Sequence, residues 1–215
     1  MKLPLLIIGA GGHAAVVADA LLAAGEHVLG FTDADPSRHG QTLCGLPVLG
    51  DDRVLDDHTP ATLALVNGIG GVGHVTGDPR RRTVQERLAG RGWQFASVRH
   101  PAAVVSRFAR VGDGAQLLAV SIVQTGAEIG DACIVNTGAV VEHDVKLGAW
   151  VHVAPRALLC GDVAIGARSH VGAGAVVRQG LRLGEDTVVG AGAVVVKNFA
   201  GGGLLVGVPA HPVEH

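Results

Sequence analysis

The sequence predicts an α/β unit followed by an all-β coil built from parallel repeats. Three observations carry this. Aliphatic residues recur at every sixth position from Val105 to Val195. A glycine loop, Gly9-Ala10-Gly11-Gly12-His13, directly follows the apolar run Leu3 to Ile8. Strand-like and helix-like segments alternate through the first 98 residues. A period of six matches neither the 3.6 of a helix nor the 2 of a simple strand, and repeats of that length are the signature of a β-helix.

The hexad positions are Val105, Val111, Leu117, Val123, Ile129, Val135, Val141, Leu147, Val153, Leu159, Ile165, Val171, Val177, Leu183, Val189 and Val195. Most are preceded two residues earlier by a small side chain, among them Ala115, Ser121, Ala127, Cys133, Ala139, Ala157, Ser169, Ala175 and Ala193. Each hexad supplies a short strand and a corner, and three hexads close a triangular coil with the aliphatic inside. Gly112, Gly130, Gly148, Gly166, Gly172, Gly184 and Gly190 directly follow an aliphatic and read as the permissive corner residues. The run makes about five coils, a prism roughly 24 Å long at the spacing of parallel strands. Periodicity does not set the hand of the coil. Flat faces rich in Val and Ala are best buried against copies of the same chain, which points to a homotrimer.

Residues 1–98 read as an α/β unit with a parallel sheet. Leu3 to Ile8 is a strand, Ala14 to Ala24 a helix stopped by Gly25, and His27 to Phe31 a second strand closing at Asp33. Thr62 to Val66, Arg80 to Ala89 and Trp93 to Val98 read as strand, helix and strand. Pro79 opens that second helix, with Arg80-Arg81-Arg82 on its exposed first turn. The Gly9-x-Gly11-x-x-Ala14 spacing, with an acidic residue about 20 positions on, fits a dinucleotide fingerprint. Fewer than 100 residues do not hold two mononucleotide halves, so a half-Rossmann unit for a mononucleotide or nucleotide-sugar fits better than one for NAD. The same glycines also serve a tight strand–helix turn that binds nothing. Residues 99–198 are then the β-helix domain and 199–215 a C-terminal tail, jointed at Gly201-Gly202-Gly203 and folding back over the open end.

The formal charge of −2 gives no footprint for nucleic acid or an anionic membrane surface. No apolar run is long enough for membrane insertion. Met1 to Ile8 has the look of a weak signal peptide, but the glycine loop and a helix follow at once without a cleavage site, so the start reads as strand, loop and helix. Cys44, Cys133 and Cys160 form no CxxC and read as thiols of a reduced, cytoplasmic chain.

His143, in Val140-Val141-Glu142-His143-Asp144, falls two residues past an inward aliphatic and so at an outward corner. A carboxylate beside an imidazole fixes its tautomer and stabilises the imidazolium, as a general base requires. The bland reading is a solvated polar corner. His152 and His170 are 18 apart and stack on successive coils. A metal site would need three converging histidines, and these offsets do not supply them, so no metal is expected.

The two halves together resemble the bacterial nucleotide-amino-sugar N-acetyltransferases and their sialic-acid O-acetyltransferase relatives over nearly the whole chain. The resemblance rests on Ile8-Gly9-Ala10-Gly11-Gly12-His13, the Asp33 region, Asn67-Gly68-Ile69-Gly70, Arg81-Arg82 with Glu86-Arg87-Leu88, and His100-Pro101-Ala102-Ala103. It continues through Val135-Asn136-Thr137-Gly138-Ala139-Val140-Val141-Glu142-His143-Asp144, the Val171-Gly172-Ala173-Gly174-Ala175 and Val189-Gly190-Ala191-Gly192-Ala193 pair, and Gly207-Val208-Pro209-Ala210. It implies a left-handed β-helix, a homotrimer, acetyl-CoA as co-substrate and a nucleotide-linked amino sugar, UDP-linked by preference, as acceptor for cell-surface glycan or glycoprotein synthesis.

Residue by residue, the resemblance implies His143 as catalytic base with Asp144 as its acidic companion. It implies His152, Ala173 and Ala191 as acetyl-CoA contacts, and Gly11, Gly12, His13, Asp33, Ala34 and Gly70 as the acceptor-nucleotide site. A backbone N–H near His152 would then stabilise the oxyanion. Two positions depart from the pattern: His211 stands where such proteins usually have Lys, and Gln124 where relatives often have Asn. Sugar O-acetylation by the same base, and a non-catalytic nucleotide-sugar-binding scaffold, are the alternatives.

Overall fold

The computed structural model describes residues 2–71 and 79–213. They fall into two compact units, residues 2–71 with 79–101, and residues 102–213.

In the first unit, β1 (Leu5–Ile8), α1 (Gly12–Ala23), β2 (Val28–Thr32), β3 (Thr42–Leu43), β4 (Leu46–Gly50), β5 (Ala64–Asn67) and α2 (Arg80–Ala89) follow one another along the chain. The sheet order is β3-β4-β2-β1-β5. All neighbours are parallel except β3 and β4. Ile8 is in register with Thr32 on one side and with Asn67 on the other. The loops after β1, β2 and β5 therefore leave from one edge, where strand order reverses, which is where open α/β sheets bind ligands. The apolar run of β1 is fully buried, as expected of a strand covered on both faces. Gly25 at φ +71° ends α1, with its N–H and that of Glu26 returning to Leu22 and Leu21 carbonyls.

Three features of this unit depart from the sequence reading. The β3–β4 hairpin has no clear pattern, because β3 is two residues long and half-exposed; its turn, Cys44-Gly45, has φ +51° and +76°, the signs of a type I′ turn. The expected strand from Trp93 to Val98 reduces to a bridge between Phe95 and Leu65 and the short strand Val98–Arg99, while Trp93 is buried in the core. Arg81 is buried rather than exposed, and the Arg81 carbonyl accepts from the Asn67 amide at 3.0 Å.

In the second unit every hexad gives a two-residue strand whose second residue is the aliphatic. Strands 18 residues apart pair in parallel, so Val141 sits between Val123 and Leu159. Three faces result. The first runs from Val104–Val105 to Val194–Val195 and the second from Arg110–Val111 to Arg182–Leu183. The third contains Gln116–Leu117, Ile134–Val135, His152–Val153, His170–Val171 and Val188–Val189. From Leu117 to Val195 every hexad aliphatic is buried, and so are the small residues two positions before them. Each such aliphatic contributes roughly 1.5–3 kcal/mol relative to exposure. After Asn198 the chain stays on the coil: Leu204–Val206 extends the third face beside Val188–Val189, and His211–Pro212 folds back antiparallel on it.

The glycines that follow the aliphatics are needed for a different reason than corner flexibility. The left-handed backbone occurs three residues after the aliphatic, at Gly126 and Gly138 but also at Ala132, Asp144, Arg156 and Asp162. Gly112, Gly130, Gly148 and Gly166 instead lie where a Cβ would come within 2.3 to 2.8 Å of the next coil's backbone. They are glycine because successive coils touch there.

Candidate active site

The hexad arithmetic places each turn on one of three edges. His143 and Asp144 form the turn between the strands Val140–Val141 and Lys146–Leu147, on the edge joining the first and second faces. Both side chains are exposed, at 58% and 66%. His143 Nδ1 lies 2.9 Å from Asp144 Oδ2. With Nδ1–H donating to the carboxylate, the lone pair is left on Nε2, the tautomer a base needs. The hydrogen bond to Asp144 raises the His143 pKa above its ordinary value; desolvation opposes this, and the charges of Asp144, Glu142 and Asp162 add to the rise. Asp162 stands one coil above Asp144 and is paired with Arg182 at 2.9 Å.

Two glycines seat this pair, and neither stands out in the sequence. Gly161 lies one coil from His143; a Cβ there would come within 2.4 Å of His143 Nε2. Gly126 lies one coil from Asp144; a Cβ there would come within 2.4 Å of Asp144 Oδ1. The 18-residue period, applied to His143 and Asp144, is the signal that finds both.

His152 sits on the third face, 7% exposed. The Asn136 amide nitrogen is 3.1 Å from His152 Nε2, so with the amide donating, the ring is neutral with its proton on Nδ1. His170 meets it edge to face at 4.9 Å, and burial lowers the His170 pKa. The His152 N–H donates to the Ser169 carbonyl at 3.0 Å and the Ala154 N–H to Val171 at 2.8 Å. These two amides are committed to the coil ladder. Among the described residues no group of three or more His, Cys, Asp or Glu side chains could hold a metal ion.

Ala173 and Ala191 are exposed and stack on successive coils, on the edge joining the third and first faces. The neighbouring Gly174 and Gly192 face open space. Within one chain this edge is distinct from that of His143, so a single chain does not bring the base and these turns together. His211 is exposed in its strand on the third face.

The nucleotide-site candidates converge at the switch-point edge of the first unit. The Asp33 carboxylate accepts from the Ala10 N–H at 2.8 Å through Oδ2 and from the Asp35 N–H at 2.9 Å through Oδ1. Arg38 donates to the Ala10 carbonyl at 2.6 Å. Asp33 thus braces the glycine loop through Oδ2 and its own turn through Oδ1. Gly11 caps α1 without a side-chain hydrogen bond, and no acidic residue lies in the first turn. A Cβ at Gly11 or Gly12 would meet nothing within 4 Å, so the loop and helix N-terminus present open backbone of the kind that receives phosphate. His13 packs on Gly70, whose Cβ would lie 2.8 Å from that of His13. Ala34 is exposed beside Asp33.

A nucleotide-type loop joined in sequence to a hexapeptide coil bearing a carboxylate-backed imidazole defines a class, the acyl-transferring hexapeptide enzymes that act on nucleotide-linked acceptors. Comparison with known proteins narrows it. Residues 4–84 match the PglD N-terminal domain, and residues 162–197 match the hexapeptide repeat of succinyl-transferase. No curated protein sequence matches the chain. Among solved structures, the acetyltransferase domain of PglB from Neisseria gonorrhoeae is 35% identical, with a TM-score of 0.89 and coverage of 99% of this chain and 100% of that one. Perosamine N-acetyltransferase from Caulobacter crescentus, solved as a histidine-to-asparagine variant with CoA and GDP-perosamine, is 40% identical, with a TM-score of 0.89 and coverage of 99% and 97%. WeeI from Acinetobacter baumannii is 27% identical, with a TM-score of 0.81 and coverage of 99% and 100%. The chain belongs to the bacterial nucleotide-amino-sugar acetyltransferase family, with a PglD-type N-terminal domain and a left-handed β-helix of hexapeptide repeats. It is an acyltransferase.

Proposed function

We propose that the chain transfers the acetyl group of acetyl-CoA to the amine of a nucleotide-linked amino sugar. The observation that carries this is the exposed His143, held by Asp144 at Nδ1 and seated over Gly161. His143 Nε2 takes a proton from the acceptor amine as the nitrogen attacks the thioester carbonyl. The C–N bond forms, the C–S bond breaks, and the proton on the imidazolium passes to the departing thiolate. Asp144 keeps the imidazole in its working tautomer and stabilises its charged form. His152 and the Ala173 and Ala191 turns take acetyl-CoA. The complexes of the Caulobacter enzyme with CoA and GDP-perosamine support this assignment of donor and acceptor.

The loop at Gly11, Gly12 and His13, with Asp33, Ala34 and Gly70, takes the nucleotide. The acceptor is UDP-linked in this reading, with GDP-linked sugars the direct competitor. The enzyme works as a homotrimer, each site pairing His143 of one subunit with the Ala173 and Ala191 turns of another. What supports the trimer is the placement of these groups on different edges of the prism. In this reading the reaction runs in the cytoplasm, where Cys44, Cys133 and Cys160, none of them in a disulfide, stay reduced.

The test is a panel of UDP- and GDP-linked amino sugars incubated with acetyl-CoA, followed by CoA release and mass spectrometry. The expected product is an N-acetylated nucleotide sugar, with a loss of about 10²–10⁴-fold in His143→Ala. No CoA release with any acceptor, or acetylation confined to hydroxyls, would overturn the proposal.

A further inference from the structure

The edge that carries His143 has a second feature. Val105, Val123 and Val141 pair in register, so Arg107-Phe108, Thr125-Gly126 and His143-Asp144 are equivalent turns on successive coils. Phe108 is 70% exposed. The chain has four Phe, two Trp and no Tyr, and the other five aromatics are buried or half-buried. Phe31 and Trp93 lie in the first unit's interior, Phe95 packs on its core, Phe199 packs on the coil core, and Trp150 is half-covered. A ring left in water forgoes the burial the other five obtain. The Arg107 guanidinium lies over this ring, 5.9 Å from its centroid.

Between Phe108 and Asp144 the edge carries Gly126, at φ +72°. The Asp144 carboxylate lies over Gly126, and Thr125 stands between Arg107 and His143. The edge thus presents an exposed aromatic ring, a short step and then the His143–Asp144 pair. At the spacing of parallel strands the ring stands about 10 Å along the edge from the His143 turn. One hexose ring with its anomeric phosphate spans such an interval. The direction matters too. Ala173 and Ala191 lie on coils C-terminal to that of His143, and Phe108 lies on the first coil, so with prisms aligned in parallel the donor contacts and Phe108 fall on opposite sides of the base.

A pyranose has a face of C–H groups that packs on an aromatic ring, with hydroxyls at its rim. A nucleotide-linked sugar adds a diphosphate that a guanidinium recognises. Resting on the acetyl-transfer reading above, we propose that Phe108 is the platform on which the acceptor sugar stacks. Arg107 fixes the ring and pairs with the phosphate attached to the sugar, and together they present the amine to His143 Nε2. Phe108 and Arg107 are then acceptor-specificity residues.

Steady-state kinetics on the intact enzyme test this, with the best acceptor of the panel and acetyl-CoA varied in turn. Phe108→Ser is expected to raise the acceptor KM about tenfold, with the acetyl-CoA KM and the light-scattering mass unchanged. Phe108→Trp is expected to restore acceptor affinity, and Arg107→Gln to raise the acceptor KM alone. An unchanged acceptor KM in Phe108→Ser would overturn the proposal. So would a rise in both KM values with a smaller particle mass, which would make Phe108 a subunit contact. A wild-type enzyme inactive on every nucleotide-linked amino sugar overturns the acetyl-transfer reading itself. An active wild type with unaltered Phe108 variants overturns the platform alone.

Discussion

Gly161→Ala should disable the enzyme while sparing the fold. The new Cβ would lie 2.4 Å from His143 Nε2, 2.5 Å from Cε1 and 3.1 Å from Cδ2. Ordinary carbon contacts are about 3.5–4.0 Å, so the imidazole must retreat by more than about 1 Å. The His143 side chain is 58% exposed and can swing outward, and Gly161 is not in the left-handed region, so alanine brings little strain. The cost therefore falls on the base, whose bond to Asp144 and line to the acceptor are both displaced. A misplacement of about 1 Å costs on the order of 10² in rate. The assay is CoA release under saturating substrates, beside a thermal melt of the same preparation. We expect kcat to fall about 100-fold with the melting temperature within a few degrees of wild type. A Gly161→Ala enzyme with near-normal kcat would refute the argument that this glycine seats the base. A collapse in stability would refute the argument that the ring can move cheaply.

Three further outcomes follow from the same geometry. The hydrogen bond to Asp144 raises the His143 pKa above its ordinary 6.5, so the protonated form persists to higher pH and the wild-type rate should climb through an acid limb centred above that value. Asp144→Asn should move the limb to lower pH and reduce kcat, and an unmoved limb would show that another group titrates. Mixing His143→Ala chains with Ala173→Trp chains should restore part of the activity, because the two positions lie on different edges of one prism; a stable, active monomer by light scattering would sink the trimeric site. Gly148→Ala should destabilise the coil by about 1–3 kcal/mol, since its Cβ would lie 2.6 Å from the Ala167 backbone nitrogen; a denaturation midpoint equal to wild type would remove the coil-contact explanation for that glycine.

The period of six determined the coil by itself, because an aliphatic can face inward at every sixth residue only if the chain turns at each hexad. The same arithmetic put His143 at an exposed turn and stacked His152 on His170. The glycine loop and the helix after it were legible because left-handed and cap positions admit few residues, and α2 matched its expected span from Arg80 to Ala89. Tertiary structure alone decided what depends on neighbours distant in sequence. The role of Gly112 and Gly148 is set by the backbone of the next coil, which local preference does not reveal. Gly161 and Gly126 acquire their function from His143 and Asp144, 18 residues away along the chain. Asp33 braces the Ala10 amide because Ile8 and Thr32 are in register, a pairing no single segment encodes. Arg81 reads as a surface cation, yet it is buried with its carbonyl accepting from the Asn67 side chain. A sequence specifies its own periodicity and turns, because those are local; which side chain fills the gap beside a glycine is a property of the packed coils.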